Sequence, residues 1–225
     1  MHIATGFLSP AVAAGCGAIA AGAVTAAVAQ SRKTLEDRAV PVVGVLGAFV
    51  FAAQMVNFPI WWGTSGHLAG GFLLGLLCGW APGLLTMTAI LTVQSLVFAD
   101  GGLEALGANI VNMGVVPCLL GGAVRRVWQR RGLRPIIPLS VAGAWLAVVL
   151  GSALVVVQFW LSGRLNTERL LWGMTASMVG IHALIGLVEG AITAAVVSFV
   201  AGSEVARQFN SPGAPVQPPN KEPAL

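Results

Sequence analysis

The sequence predicts an all-α integral membrane protein of about seven transmembrane helices, and three observations carry that expectation. Of its 225 residues, 56% are hydrophobic and only 9% charged, with a mean hydropathy of +0.85. A soluble domain carries about 25% charge, so too few charged groups are present to cover a water-facing surface. Uncharged apolar runs recur at lengths near the ~20 residues a spanning helix needs, and the basic residues fall almost entirely between alternate runs. A cytosolic enzyme and a nucleic-acid module are excluded. The net charge of +4 and the pI near 9.6 reflect cytoplasmic loops beside a lipid bilayer, with no nucleic acid as partner. Cys16, Cys78 and Cys118 lie inside apolar runs and form no CxxC pair, so neither a disulfide framework nor a thiolate metal site is expected.

The expected spans are 8–31, 40–58, 67–80, 83–99, 104–124, 136–161 and 171–202. The third and fourth are short and separated by Ala81-Pro82-Gly83, which breaks a helix. They form either two tilted spans or a re-entrant hairpin. With the N-terminus outside, one set of loops collects Arg32, Lys33, Arg38, Arg125, Arg126, Arg130, Arg131, Arg134, Arg207 and Lys221, against Arg164 and Arg169 for the other. The positive-inside rule therefore predicts N-out and C-in, in a multi-pass protein of the cell membrane. Residues 1–31 carry no charged side chain. The positive region of a signal peptide is thus missing, and Met1 is expected as the mature N-terminus. Residues 1–203 read as a single transmembrane domain, and residues 204–225 as a Pro-rich, disordered cytoplasmic tail. Trp61-Trp62, Trp80, Trp128 and Trp160 fall at expected interfaces, as an aromatic belt requires.

Ionisable groups within such a chain are functional candidates. Only three histidines occur: His2, His67 and His182. The α-amino nitrogen, the His2 backbone nitrogen and His2 Nδ1 can bind one metal in two fused chelate rings. His67, after the flexible Gly63-Thr64-Ser65-Gly66 at the same outer face, can supply a fourth nitrogen. Four nitrogens in a plane select Ni²⁺ or Cu²⁺, admit Co²⁺ and exclude Mg²⁺ and Ca²⁺. The plainer reading makes His2 accidental and His67 a hydrogen-bonding residue at a helix start; the residues leave both open. His182 and Glu189 share one face of the last span. Either they support the site or line an exit path, or they make a helix-packing hydrogen bond. Asn57, Gln94, Asn109 and Asn112 read as interhelical hydrogen bonds; Asp100 and Glu104, beside Gly101-Gly102, lie in an external turn that either attracts cations or, more simply, uses Asp100 as a helix cap. A catalytic alternative takes Gly63-Thr64-Ser65-Gly66 as the GxSG of an intramembrane serine protease, with Ser65 as nucleophile and His182 as base.

The opening Met1-His2-Ile3 with Gly6-Phe7-Leu8 resembles that of the CbiM/NikM-type substrate-binding membrane subunits of nickel/cobalt energy-coupling-factor (ECF) transporters. Three further blocks agree: Gly63-Thr64-Ser65-Gly66-His67-Leu68, Gln94 through Gly102 on to Asn109, and His182 through Glu189-Gly190. The resemblance covers residues 1 to about 203. It implies a seven-helix, non-enzymatic substrate-binding component for Ni²⁺ or Co²⁺ as transported substrate, with no catalytic cofactor. Met1, His2 and His67 are the implied metal ligands, with Thr64, Ser65, Asn109, Asn112, His182 and Glu189 as supporting or gating candidates. The implied partners are an ECF transmembrane coupling subunit, cytoplasmic ATPase subunits and a small accessory membrane subunit. A vitamin-binding ECF subunit is the other reading in that superfamily, but it leaves Met1-His2 unexplained. Two departures stand out. Ala4-Thr5 replace a family motif that ends in an acidic residue, and Phe58-Pro59-Ile60-Trp61-Trp62 replaces a smaller Pro-Gly run.

Overall fold

The computed structural model describes residues 1–61, 63–132 and 136–201. The tail expected at 204–225, together with Trp62, Arg134, Arg207 and Lys221, lies outside the described residues. Helix α1 (Pro10–Thr34) starts at Ser9, whose Oγ accepts the Val12 N–H, and Pro10 takes the first helical position, where no N–H is needed. A short 3₁₀ turn, Asp37–Ala39, leads into α2 (Val40–Met55). The chain then leaves helical geometry for a two-stranded antiparallel hairpin of β1 (Phe58–Trp61) and β2 (Thr64–Gly66), with Phe58 opposite Gly66. This hairpin is a departure from the all-helical expectation. Helices α3 (Gly71–Cys78), α4 (Trp80–Val97), α5 (Leu106–Arg131), α6 (Ile136–Leu161) and α7 (Glu168–Ala201) complete the fold.

Every expected span corresponds to a helix, but among the described residues five helices are long and apolar enough to cross a membrane: α1, α4, α5, α6 and α7. Helix α2 has 16 residues and α3 has eight. At 1.5 Å per residue α3 rises only about 12 Å, which is too short to cross alone. The extended segment before it runs along α7. Thr64 lies against Met178, whereas Ala69 and Gly70 lie against Glu189. Those two α7 positions are eleven residues apart, about 16 Å along the helix.

Non-helical backbone is tolerated at such depth only where protein groups satisfy it. Here the Ala69 and Gly70 amides donate to Glu189 Oε2 and Oε1 at 2.6 and 2.9 Å. The Ala69 carbonyl accepts from Gln54 Nε2, and the Leu68 carbonyl faces His67 Nδ1. Helix α3 then presses against α5 backbone to backbone; a Cβ on Gly75 would fall 2.4 Å from the Cys118 carbonyl oxygen. Just before that contact α5 widens into a π turn, Val111–Val115. Pro117 is part of the cause, because it has no N–H to offer the Met113 carbonyl. At one end of the bundle Lys33, Arg125 and Arg126 line a cavity of about 510 Å³. At the other end Arg164 donates to the Gly6 and Phe7 carbonyls.

Candidate metal centre

The first five residues do not join α1. They run as an extended thread into the bundle and add to the hairpin: Ile3 bridges Thr64, and the Ala4 amide donates to the Gly63 carbonyl at 2.9 Å. Asn109 clamps the thread from α5, accepting the Ile3 N–H at 2.9 Å and donating to the Ile3 carbonyl at 3.3 Å. The Gly102 amide donates to that same carbonyl, and Glu104 accepts the Gly6 N–H. Gly102 permits this approach, since a Cβ there would sit 2.6 Å from the Thr5 nitrogen. Met1 and Ile3 are fully buried in consequence, and His2 is 3% exposed.

The thread ends where His67 stands. The Met1 amine lies 2.7 Å from His67 Nε2 and 2.6 Å from the Ser65 carbonyl. His67 Nδ1 lies 2.8 Å from the Leu68 carbonyl. A carbonyl can only accept, so Nδ1 carries the proton and Nε2 presents its lone pair to the amine. Burial pushes the amine from 8.0 down to about 4, opposed by the Asp100 and Glu189 carboxylates. Burial and then the nearby amine hold His2 near 3, against its hydrogen bond to the Gln94 oxygen, which raises it. His67 is held well below its usual value, first by burial, then by the amine, His2 and His182. At neutral pH this is a pocket of uncharged nitrogen donors, the state a metal ion requires of amine and imidazole ligands.

His2 and His67 stack, with ring centroids 4.5 Å apart. His2 Nε2 lies 3.1 Å from Gln94 Oε1, an acceptor, so the proton is on Nε2 and Nδ1 keeps a lone pair. Asp100 Oδ1 is 3.3 Å from Nδ1. That contact is not an ion pair, because His2 is neutral, and among the described residues Nδ1 has no hydrogen-bond partner. Asp100 itself is held up by burial, opposed by the amine and by Asn57 Nδ2, which donates to its Oδ2 at 2.8 Å. Asp100 thus caps no helix, contrary to the sequence expectation. A cavity of about 660 Å³ lies over His2 and Asp100 beneath the hairpin.

The remaining predicted residues divide. Thr64 and Ser65 belong to the hairpin; Ser65 contributes its carbonyl while its Oγ has no partner. No hydrogen bond therefore joins Ser65 to His182, and no serine–histidine dyad forms. Asn112 pairs with Gln158 through two amide bonds of 2.8 Å, the interhelical role expected of it. Asn109, Gln94 and Asn57 instead serve the thread and its turn. Glu189 does not bond His182 but holds the end of the His67 loop. His182 Nδ1 contacts the Met178 carbonyl at 2.8 Å, and its buried Nε2 has no partner among the described residues. Among those residues no three His, Cys, Asp or Glu side chains group as metal ligands. Sequence reasoning missed Asp100 and Gln94 as the neighbours of His2, Met178 as the neighbour of Thr64, and Arg164 as an anchor of the opening segment. The Ala-Asp-Gly-Gly turn was the available signal for Asp100.

Residues 2–206 match the family described as the cobalt uptake substrate-specific transmembrane region, CbiM. The chain belongs to the CbiM family. A Haloquadratum walsbyi relative named for metal transport is 41% identical over 204 residues, covering 90% of this chain and 91% of that one. An Archaeoglobus fulgidus relative, named for fused nickel transport (NikMN), is 41% identical over 175 residues, or 76% of this chain and 57% of that one. A crystal structure of a truncated transition metal transporter superposes with a TM-score of 0.81 at 29% identity, covering 90% of this chain and 99% of that one. The chain is therefore a non-enzymatic transport component of a membrane, and CbiM-family proteins work with other transporter components.

Proposed function

We propose that this chain is the substrate-binding component of an ECF-type importer, capturing Ni²⁺ or Co²⁺ with the Met1 amine, the His2 backbone and Nδ1 nitrogens, and His67 Nε2. The observation that carries the reading is the buried, neutral Met1 amine 2.7 Å from the lone pair of His67 Nε2. Two nitrogens at right angles about an ion, each about 2 Å from it, stand about 2.8 Å apart. In the metal-free protein the neutral amine donates to Nε2; an ion displaces that hydrogen bond and takes a lone pair from each nitrogen, the amine keeping both hydrogens. The His2 amide joins the chelate by losing its proton, which a square-planar ion favours and an octahedral oxygen-seeking ion does not. The names of the relatives, for metal and for fused nickel transport, agree with this substrate class.

The structural roles follow. Asn109, Thr64 and Gly102 hold the thread in register, and Glu189 holds the loop that carries His67. The N-terminus lies outside, and the cluster of Lys33, Arg125 and Arg126 faces the cytoplasm, as the positive-inside rule requires. Release requires separating the thread from the His67 loop. An ECF coupling subunit, driven by cytoplasmic ATPases and assisted by a small accessory membrane subunit, does so by moving α1 or the hairpin. His182, with its unpartnered Nε2 on the face of α7 that follows this loop, is the ligand the ion meets on leaving. The test is Ni²⁺ and Co²⁺ titration of purified full-length protein with its free N-terminus, beside His2→Ala and His67→Ala. One tightly bound equivalent lost in both variants supports the site; binding indifferent to both removes it.

A further inference from the structure

With Nε2 facing the Gln94 side-chain oxygen, the His2 ring turns Nδ1 toward the carboxylate of Asp100, whose Oδ1 lies 3.3 Å from it. Two acceptors facing each other at this distance repel unless a donor or a cation stands between or beside them, and among the described residues the buried Nδ1 has no donor. The arrangement is held in place. Asn57 occupies Oδ2 and leaves Oδ1 free. The Asp100 amide returns to the Gln94 carbonyl, so one residue fixes both the His2 tautomer and the Asp100 backbone. Ala99 adopts a left-handed φ of 54°, unusual for a residue with a side chain, and Gly101 follows at 91°. This strained turn aims the carboxylate at the cavity over His2.

The cavity has the size for an arriving ion. Six waters at about 30 Å³ each make a hydrated divalent ion of about 180 Å³, well within the 660 Å³ available. Its other walls include Pro59, Ile60, Trp61 and Leu170, which offer no competing charge. Glu104, the second acid of the same turn, is engaged with the Gly6 amide.

We infer that Asp100 is the entry ligand: its free Oδ1 takes the hydrated divalent cation at the mouth and passes it to His2 Nδ1, the first nitrogen of the buried site. An oxygen donor suits an ion still carrying its waters, whereas four nitrogens in a plane hold it after the waters have gone. Asp100 therefore sets the rate of capture and not the strength of retention. The inference rests on the four-nitrogen reading above and adds a step before it.

The test is stopped-flow Ni²⁺ association with the full-length, free-amine protein, followed by dissociation into excess chelator. Asp100→Asn keeps the side chain's shape and a partner for Asn57 but removes the charge. It is expected to slow association about tenfold, within the range that local charge contributes to on-rates, while dissociation and the one-to-one stoichiometry stay within twofold. Asp100→Glu, which keeps the charge on a longer side chain, is expected to associate within about threefold of wild type. Unchanged association in Asp100→Asn overturns the inference. So does faster dissociation with association intact, because Asp100 would then be a retaining ligand. Slowing in Asp100→Glu equal to that in Asp100→Asn also overturns it, since the shape of the turn and not its charge would then set the rate. If the wild-type protein binds no Ni²⁺, or binds it equally well after His2→Ala, the four-nitrogen reading itself fails and takes the entry step with it.

Discussion

Replacing Asn109 by Ala removes the clamp on the chelating thread without touching any proposed ligand. The Ile3 carbonyl keeps the Gly102 amide at 2.8 Å and loses only its second donor. The Ile3 N–H, in a fully buried residue, loses the Asn109 oxygen at 2.9 Å. An orphaned buried donor costs about 1–3 kcal/mol, and a lost second hydrogen bond about 0.5–1. A total of about 1.5–4 kcal/mol is expected, equivalent to about 12- to 700-fold in an equilibrium constant. The ion can be chelated only by a docked thread, so the loss appears in the Ni²⁺ dissociation constant wherever the metal-free thread undocks. Calorimetric titration of Asn109→Ala beside wild type reads it directly. An affinity within twofold of wild type would refute the reasoning that Asn109 holds the thread in its binding position.

Four further outcomes are expected. Glu189→Gln presents a donor to two backbone donors, Ala69 and Gly70, and loses one of its bonds of 2.6 and 2.9 Å; thermal unfolding should report a loss of about 1–3 kcal/mol, and an unchanged Tm contradicts the role given to it. Gly101→Ala must adopt φ 91° with its Cβ 3.4 Å from the His2 ring and 3.0 Å from Asn109 Nδ2, so Ni²⁺ affinity drops, and wild-type affinity would show that the turn does not support His2. Ser65→Ala leaves affinity within about threefold, because Ser65 acts through its carbonyl; loss of binding would give its hydroxyl an unrecognised role. Acidification undocks the metal-free thread. The amine titrates near 4 when docked and near 8 when free, so the undocked form binds the extra proton in that window. The docking constant then falls by up to about tenfold for each pH unit below 8, until the docked amine itself titrates. Hydrogen exchange at the Ile3 and Ala4 amides, corrected for intrinsic rates, should show protection declining from pH 8 to pH 5. Constant protection contradicts a buried neutral amine.

The helices were legible because long apolar runs in a charge-poor chain have few other folds available. The hairpin was not. Phe58-Pro59-Ile60-Trp61 is as apolar as the spans beside it, and its strand pairing depends on the N-terminal thread and on α7, which no local pattern reveals. The shortness of α3 was half visible, in the break at Ala81-Pro82-Gly83. In the structure the helices part at Gly79 (φ 91°) instead, and Pro82 sits inside the first turn of α4. At the site, the pairing of Met1-His2 with His67 followed from ligand chemistry. The second partners did not: Gln94, Asp100 and Asn109 reach His2 and Ile3 from two helices and a strained turn. The missing acidic residue at Ala4-Thr5 therefore left His2 with a carboxylate neighbour after all, supplied by Asp100.

The central claim is that the chain's own N-terminal nitrogen binds the ion. The most direct measurement compares Ni²⁺ binding by full-length protein with a free Met1 amine and by the same protein acetylated at that amine. Adding a residue ahead of His2 would not serve, because a histidine in third position creates a new nickel chelate. The account predicts one equivalent bound by the free amine, with a square-planar nickel spectrum, and loss of tight binding on acetylation. Equal affinity in the acetylated protein would contradict it.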